Sequence, residues 1–322
     1  MNIIIPDDYQ DAVRNLSCFA KLADHNVRIF TDTVKDTGAL AERLQSADAL
    51  VLIRERTRIS EELLAKLPRL KLISQTGKGT AHIDLAACTR RGIVISAGTG
   101  SPFAPAELTW ALVLASRRRV AEEAVRMRAG FWQSTLGKGL RGQTLGVWGY
   151  GKIGSLVAGY GRAFSMNVLV WGRMGSLSRA QADGYTVASS QQALLEESDI
   201  LSLHLKLTEE TAGILTAADL ARMKPDALLV NTSRAELIEP RALETALRAG
   251  RPGFAAVDVY EGEPILGATH PFLDMDNVLC TPHLGYVERD CYELYFGQAF
   301  DQVIAFAEQK PLRVVNLDVL GS

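Results

Sequence analysis

The most informative segment of the chain, Thr144 to Phe164, has the sequence TLGVWGYGKIGSLVAGYGRAF. It reads as a short apolar strand, a glycine turn and a helix. At the turn, Gly149, Gly151 and Gly154 form the pattern G-x-G-x-x-G. The first glycine permits a tight turn, the second lets a pyrophosphate approach the backbone, and the third lets the helix pack closely on the strand. The pattern therefore predicts a dinucleotide site at the N-terminus of the helix.

The residues after the turn support this interpretation. Apolar side chains recur with the helical period at positions 153, 156, 157, 160, 163 and 164, so an amphipathic helix is predicted there. The alternative is a glycine-rich turn that binds nothing, because the pattern alone is weak evidence. The strand before it and the helix after it favour the dinucleotide site.

Apolar strands and helical segments alternate before this stretch, as in βαβ units around a parallel sheet. The predicted strands are Asn2–Ile5, Val27–Phe30, Ala49–Ile53, Leu70–Ser74 and Ile93–Ser96. The predicted helices are Asp11–Leu22, Thr37–Gln45, Ser60–Ala65 and Ile83–Arg91, and one long helix is predicted over Ala104–Met127. Ser60, followed by two glutamates, is expected to cap its helix.

The alternation continues after the glycine turn. Further strands are predicted at Val168–Trp171, Ile200–Leu205, Leu228–Asn231, Phe254–Asp258 and Val278–Thr281. Helices are predicted at Ser189–Glu197, Thr216–Arg222, Pro240–Ala249 and about Asp290–Glu308. The chain is thus predicted to be an α/β protein with two open parallel sheets.

Composition narrows the class of protein. The 322 residues suffice for two domains, and the apolar fraction of 47% with 22% charged residues is typical of a globular protein. The net charge of −2 without a basic block predicts no nucleic-acid partner. No signal-like N-terminus and no membrane-length apolar run are present, and the four cysteines are widely spaced, so a cytoplasmic protein without a membrane partner is expected.

Three polar clusters follow apolar strands in the second half of the chain. They contain Arg234, then Asp258 with Glu263, then His283. A histidine beside a carboxylate can exchange the hydroxyl proton of a 2-hydroxy acid, and an arginine can bind the acid's carboxylate. Taken singly, each could be an ordinary surface or turn residue. Their shared position at strand ends beside a dinucleotide turn favours a catalytic role.

Six segments of the chain resemble the D-isomer-specific 2-hydroxyacid dehydrogenase family, and together they span most of its length. They are ISQTGKGTAHIDLAACTRRGI (Ile73–Ile93), GVWGYGKIG (Gly146–Gly154), LHLKLTEET (Leu203–Thr211), MKPDALLVNTSRAELIEPRAL (Met223–Leu243), AAVDVYEGEP (Ala255–Pro264) and TPHLG (Thr281–Gly285). The resemblance implies an NAD- or NADP-dependent oxidoreductase that interconverts a 2-oxo acid and a D-2-hydroxy acid. It also implies two doubly wound parallel-sheet domains and a homodimer with the long helix in its contact. A Rossmann cofactor domain, residues 101–285, would be inserted in a flavodoxin-like substrate domain formed by residues 1–100 and 286–322.

The resemblance also implies roles for individual residues. Arg234 would bind the substrate, Glu263 would be the partner of the histidine, and His283 would be the acid/base. The substrate carboxylate would be bound by the backbone around Lys78 and Gly79. The expected cofactor-binding residues are Gly149, Gly151, Lys152, Ile153, Gly154, Gly172, Arg173, His204, Thr232, Asp258 and His283, with Asp258 near the nicotinamide carboxamide. Neither His82 nor His204 has metal-ligand spacing, so no metal is expected.

Two departures from the family pattern affect specificity. Gly172 stands where NAD-preferring members have an acid that binds the ribose, and Arg173 follows it, which slightly favours NADP. The alternative is an exposed arginine in an enzyme that uses NAD. Lys78, with Arg54 and Arg56 after another strand, could favour a substrate with a second anionic group. Alternatively, Lys78 faces solvent and the arginines pair with Glu55, Glu61 or Glu62.

Other functions remain open at this point. The family includes corepressors that bind the dinucleotide, so a sensor with little or no turnover is the alternative from another class. Formate and phosphite dehydrogenases share the fold, but Glu263 argues against the formate enzyme, whose histidine pairs with an amide. Glyoxylate, hydroxypyruvate, phosphoglycerate and larger 2-oxo acids all fit the same polar residues.

Overall fold

The computed structural model describes residues 1–321 of the chain. Two compact units share the chain: Met1–Ser101 with Glu288–Ser322 form the first, and Pro102–Val287 form the second. Across the described residues, no helix combines the length and the apolar character needed to cross a membrane.

The first unit is built on a five-stranded parallel sheet. Its strands lie in the order β2-β1-β3-β4-β5, which is the flavodoxin-like order. The strands are β1 (Asn2–Ile5), β2 (Asn26–Ile29), β3 (Ala49–Leu52), β4 (Leu72–Gln75) and β5 (Val94–Ala97). Because strands β1, β3 and β4 carry almost only buried residues, both faces of the sheet are covered.

Helices cover this sheet on both faces. Three begin at a residue whose side chain accepts a backbone N–H: Asp36 before α1 (Thr37–Leu44), Ser60 before α2 (Glu61–Ala65) and Asp84 before α3 (Leu85–Arg90). The predicted cap at Ser60 is therefore confirmed, with Leu63 as the donor. The C-terminal helix (Arg289–Ala307) packs on β3, β4 and β5.

The predicted helix over Asp11–Leu22 is wrong. Two short 3₁₀ helices, Val13–Asn15 and Ser17–Leu22, take its place, and Leu16 between them is extended. The cause is competition for backbone N–H groups: the Glu293 carboxylate accepts from Ser17 and Cys18, whose N–H groups a continuous helix would use internally. Glu293 lies far outside the segment, so the pattern of the segment does not reveal it.

The second unit contains a seven-stranded parallel sheet in the order β12-β11-β10-β9-β6-β7-β8. Its strands are β6 (Thr144–Trp148), β7 (Asn167–Trp171), β8 (Thr186–Val187), β9 (Ile200–Leu203), β10 (Leu228–Asn231), β11 (Phe254–Val257) and β12 (Val278–Cys280). This is the Rossmann order: β6 lies inside the sheet, β7 and β8 follow on one side of it, and β9, β10 and β11 follow on the other. Strand β12 adds one further strand at the edge. The predicted pair of parallel α/β sheets is confirmed.

Two helical layers enclose the second sheet. The helices are α4 (Phe103–Arg117), α5 (Val120–Arg128), α6 (Lys152–Ala163), α7 (Met174–Ala182), α8 (Gln191–Glu197), α9 (Ala217–Leu220) and α10 (Ala242–Arg248). One apolar core contains residues of α4 and α6, and the other contains residues of α8, α9 and α10. Helix α7 and strand β8 lack a strong apolar period, and the sequence analysis did not predict them.

The single long helix predicted over Ala104–Met127 is also wrong, because α4 ends at Arg117 and α5 starts at Val120. Arg119 between them is left-handed, with φ 53°. The Arg117 guanidinium is buried and donates to the carbonyl oxygens of Asp226 (2.8 Å) and Asp199 (2.5 Å). These bonds anchor the end of α4, and no residue from 118 to 139 is buried.

Close backbone packing explains two glycines of the central motif. Gly149 has φ 104°, and a Cβ there would lie 2.5 Å from the carbonyl oxygen of His204. A Cβ at Gly154 would lie 2.0 Å from the carbonyl oxygen of Gly149. The turn is therefore held between β9 and α6 at distances that exclude any side chain.

We predict opposite effects for alanine at two glycines of α6. Gly154→Ala must displace backbone and should lower the free energy of unfolding by about 1–3 kcal/mol. Gly159→Ala meets no atom closer than 3.9 Å, so it should raise that free energy by about 0.5–1 kcal/mol. Chemical denaturation of both variants checks the pair, and equal effects would contradict the packing described for Gly154.

Candidate active site

The start of α6 offers backbone groups to an anion. Gly151 is the N-cap of the helix, and no side chain of the described residues caps it. Ser155 is the first residue whose N–H bonds back to the carbonyl of Gly151. No described heavy atom lies within 4 Å of a Cβ built on Gly151, so open space lies beside the N–H groups of Lys152 and Ile153. These features fit a pyrophosphate.

The end of β7 fits a ribose but contains no acid. A Cβ at Gly172 would touch only Ser176 and Gly149, at 3.7 Å or more. Arg173 is largely exposed, and its Nη2 lies 3.4 Å from Oε2 of Glu210. Arg179 instead donates to the carbonyl of Tyr150 inside the glycine turn, at 2.9 Å, and to Ser176 Oγ, at 3.2 Å. The guanidinium of Arg173 is thus more available to a ligand than that of Arg179.

His204 follows β9 and lies against the glycine turn. Its Nε2 is 2.9 Å from the hydroxyl of Ser202, and its backbone N–H donates to the carbonyl of Trp148. Burial lowers the pKa of His204 to about 4. The imidazole is therefore neutral at physiological pH.

A histidine–carboxylate pair lies at the carboxyl ends of β11 and β12. Nδ1 of His283 is 2.6 Å from Oε2 of Glu263, and Oε1 of Glu263 accepts the backbone N–H of Tyr260 at 2.8 Å. His283 is left-handed, with φ 53°, directly after Pro282. With Nδ1 bonded to Glu263, Nε2 is the nitrogen that can exchange a proton with a ligand.

Asp258 holds the backbone that carries His283. Its fully buried carboxylate accepts three hydrogen bonds: from Thr281 Oγ1 (2.7 Å), Leu284 N (2.7 Å) and Gly285 N (2.9 Å). Burial raises the pKa of Asp258. These donors lie on both sides of His283, so Asp258 has a positioning role that the sequence analysis did not assign.

The turn after β10 positions Arg234. The buried amide of Asn231 donates to the carbonyl of Arg234 (2.9 Å) and accepts from the N–H of Ser233 (3.0 Å). Thr232 Oγ1 lies 2.7 Å from Thr109 Oγ1 on α4. The Arg234 backbone is extended, and its Nη1 donates to the Ser233 carbonyl at 2.7 Å. Four successive residues thus form one ordered turn.

In the first unit, Arg54 is fixed over the loop that follows β4. Its φ is 54°, and its N–H donates to Thr76 Oγ1 at 2.9 Å. The guanidinium lies 5.4 Å from the ring centre of Tyr295, and its Nη1 would be 2.0 Å from a Cβ at Gly77. Gly77 is therefore needed for Arg54 to take this position.

Lys78 and Gly79 belong to the same loop. Lys78 is exposed, and a Cβ at Gly79 would lie 2.6 Å from Oε1 of Glu55. The two acids on α2 have other partners: Glu61 pairs with Arg90 at 2.8 Å, and Glu62 lies 3.9 Å from Lys66. Glu61 and Glu62 are therefore not the partners of Arg54 and Arg56, and the alternative in which Glu55 pairs with these arginines stays a prediction.

Sequence reasoning missed three residues that support the site. Asn231, Tyr260 and Thr281 each bond a group that carries or positions Arg234, Glu263 or His283. The available signal was their place next to the end of a strand, since polar residues at the carboxyl edge of a parallel sheet often serve a ligand site.

Comparisons with known proteins agree with this geometry. Residues 110–285 match the family model described as D-isomer specific 2-hydroxyacid dehydrogenase, NAD binding domain. A glyoxylate reductase from Aeropyrum pernix is 38% identical over 292 residues, which cover 87% of this chain and 86% of that protein.

Two crystal structures are similar over almost the whole chain. One is an oxidoreductase from Ralstonia solanacearum, provisionally described as a D-3-phosphoglycerate dehydrogenase. It is 55% identical with a TM-score of 0.97, covering 99% of this chain and 98% of that chain. The other is a phosphoglycerate oxidoreductase from Vibrio cholerae. It is 51% identical with a TM-score of 0.94, covering 96% of this chain and 99% of that chain.

The pKa of His204 predicts how stability responds to acid. The pKa of His204 is about 4 in the folded chain, against an ordinary value of 6.5 that applies to the unfolded chain. Between pH 4 and pH 6.5, His204 is therefore protonated in the unfolded chain and neutral in the folded chain. Stability should fall as the pH drops from 7 to 4.5, and His204→Gln should remove about 2 kcal/mol of that fall.

Urea titrations at several pH values measure this difference, with the wild-type protein as the reference. A His204→Gln protein whose stability changes with pH as steeply as wild type would contradict a buried, neutral His204.

Proposed function

Because the chain belongs to the D-isomer specific 2-hydroxyacid dehydrogenase family, we propose that Arg234, Glu263 and His283 carry its reaction. That reaction is hydride transfer between NAD(H) and a pair formed by a 2-oxo acid and a D-2-hydroxy acid. The observation that carries the proposal is the 2.6 Å contact of His283 with Glu263, which leaves Nε2 as the proton-exchanging atom. It also favours the enzyme over a dinucleotide sensor.

The three side chains have distinct tasks. His283 Nε2 gives a proton to the carbonyl oxygen as it becomes a hydroxyl, and takes that proton back in the oxidation. Glu263 orients the ring and stabilises the imidazolium that forms after proton uptake. The fork of Arg234 binds the substrate carboxylate and polarises the neighbouring carbonyl. The cofactor supplies or accepts the hydride when bound.

The surrounding contacts hold the backbone of His283 and Arg234 in a fixed position. Asp258 fixes the backbone on both sides of His283, and Asn231 fixes the turn of Arg234. Such preorganisation matters because an error of about 1 Å in a reacting group can cost on the order of 10²-fold in rate. A role for Asp258 near the nicotinamide carboxamide stays part of the proposal.

Substitutions in the catalytic set should separate chemistry from cofactor binding. We expect His283→Ala, Glu263→Gln and Arg234→Gln to lower kcat/KM for a 2-oxo acid by about 10²–10⁴-fold. The affinity for NADH should change less than kcat/KM does, because the glycine turn is untouched. Steady-state kinetics and fluorescence titration of NADH measure the two quantities, with Glu197→Gln as a surface control. Near-normal turnover of His283→Ala would reject the mechanism.

The substrate acid is proposed to be held by a second group of residues. The backbone of Lys78 and Gly79 would bind its carboxylate, and Arg54 would lie beside them over Gly77. Glyoxylate reductases and phosphoglycerate oxidoreductases both occur among the relatives. The proposal of a second anionic group on the substrate rests on the place of Lys78 in this loop, because its exposure is equally expected of a lysine that faces solvent.

For the cofactor, we propose that the NAD-binding site also accepts NADP. Support comes from the missing acid at Gly172 and the exposed guanidinium of Arg173. Glu210 opposes it, because it must release Arg173 before a 2′-phosphate can bind there. Its contact with Arg173 is nevertheless a weak, exposed ion pair.

A matched pair of variants tests this preference. Arg173→Gln should lower kcat/KM for NADPH by about tenfold and leave that for NADH nearly unchanged, since a charge-assisted contact to phosphate is lost. Gly172→Asp should shift preference towards NADH by restoring an acceptor for the ribose hydroxyls. The ratio of kcat/KM values with each cofactor is the measurement. An equal effect of Arg173→Gln on both cofactors would make Arg173 irrelevant to the choice.

We also propose a homodimer whose contact includes the segment from α4 through α5. Large apolar side chains are more than half exposed in and after α5: Val120, Val125, Met127, Phe131, Trp132 and Leu136. Exposed apolar side chains at this density are typical of protein interfaces. Their clustering in one segment of the second unit is the support for the dimer.

A reducing, cytoplasmic setting completes the proposal. All four cysteines are free thiols. Burial raises the pKa of Cys18 and Cys88 to about 12, so both thiols stay protonated and resist oxidation.

A further inference from the structure

A cavity lies in the Rossmann unit, and the proposed catalytic residues do not line it. It has a volume of about 850 Å³ and is lined by residues between 212 and 272. Its walls come from the turn after β10, the start of α10, the residues after β11, and the 3₁₀ helix Pro271–Asp274. The glycine turn, Arg234, Glu263 and His283 are all absent from its lining. Its size is that of a small-molecule site.

The inner wall of the cavity is aromatic. The rings of Tyr260 and His270 are 5.0 Å apart, and those of His270 and Phe272 are 4.7 Å apart. The Tyr260 hydroxyl already lies within hydrogen-bond distance of the carbonyls of Val257 (3.2 Å) and Thr281 (3.0 Å). Burial raises the pKa of Tyr260, so the phenol stays neutral. This wall offers ring faces and few free polar atoms.

Carboxylates dominate the charge of the cavity. Four glutamates line it against one arginine, Arg241, which lies 3.8 Å from Glu244. Glu239 accepts the N–H of Ala217. Among the described residues, Glu236 and Glu261 have no basic side chain within ion-pair distance, and both are exposed. The cavity therefore combines uncompensated negative charge with aromatic faces.

We propose that this cavity binds a small organic cation with an apolar or aromatic body. The ammonium or amidinium group would meet the carboxylates of Glu236 and Glu261, and the body would pack on Tyr260 and Phe272. Both contacts favour a cation, because carboxylates form charge-assisted hydrogen bonds with it and ring faces attract positive charge. An anion such as the acid substrate is disfavoured by the same residues.

The cavity is connected to both halves of the catalytic site. Asn231 and Tyr260 line it, and these residues hold Arg234 and Glu263 through the bonds described above. A cation bound here therefore contacts the supports of the substrate-binding arginine and of the acid/base pair. We infer that it alters turnover as well as occupying space. This second step rests on the proposed function, whereas the binding itself does not.

Benzamidine is a suitable probe, and benzamide is its neutral, isosteric control. Isothermal titration of the full chain saturated with NADH should show one benzamidine site and no benzamide site. Glu236→Gln combined with Glu261→Gln should weaken benzamidine binding at least about tenfold, since two charge-assisted contacts are lost. Ala212→Trp, at an exposed lining position, should block binding by filling the opening. Glu197→Gln combined with Glu209→Gln removes two surface carboxylates elsewhere and should leave binding unchanged.

Three results would overturn the binding proposal: no saturable binding to wild type, equal binding of benzamide, or wild-type affinity in both the double glutamine and the tryptophan variant. Displacement of benzamidine by NADH would place it in the cofactor site and also reject the cavity. Activity assays form a separate arm, in which benzamidine should change kcat or KM for wild type and not for Ala212→Trp. Binding without a kinetic change would reject only the regulatory step.

Discussion

The carboxylate of Asp258 is buried at the end of β11, and it accepts hydrogen bonds from donors on both sides of His283. A buried carboxylate is costly unless its oxygens are bonded, so the backbone of 281–285 is drawn into one conformation. His283 takes its left-handed backbone within that loop, and its ring then meets Glu263. The contact between His283 and Glu263 thus depends on how the hydrogen bonds of one buried carboxylate are satisfied.

In both units, polar side chains lie in short turns at the carboxyl ends of parallel strands. Parallel strands bring their carboxyl ends to one edge, and the residues that follow each strand form short turns with fixed partners. In the Rossmann unit these turns carry Arg234, Asp258 and His283, each supported by backbone or buried polar groups. In the first unit they carry Arg54 and the glycine-flanked Lys78, and Gly77 makes room for the guanidinium of Arg54.

The sequence predicted the features that depend on local pattern. The strand, glycine turn and helix from Thr144 to Phe164, and strands such as Leu228–Asn231, follow from apolar period and glycine spacing. The pairing of His283 with Glu263 is expected from the family resemblance, and the structure brings the two side chains into contact.

What escaped prediction depends on contacts distant in sequence. The helix expected over Asp11–Leu22 is interrupted because Glu293, far along the chain, accepts the N–H groups of Ser17 and Cys18. Helix α4 ends early where Arg117 finds two carbonyls far along the chain, and Arg119 turns left-handed. The support given by Asn231 and Tyr260 is different, because it comes from bonds within three residues whose turn geometry is not fixed by the residue types alone. The break at Arg119 separates two kinds of requirement on the sequence. Residues up to 117 must fit a packed core. Residues 118–139 contain no buried side chain, so any limit on substitution there comes from surfaces outside the single chain, such as the proposed dimer contact.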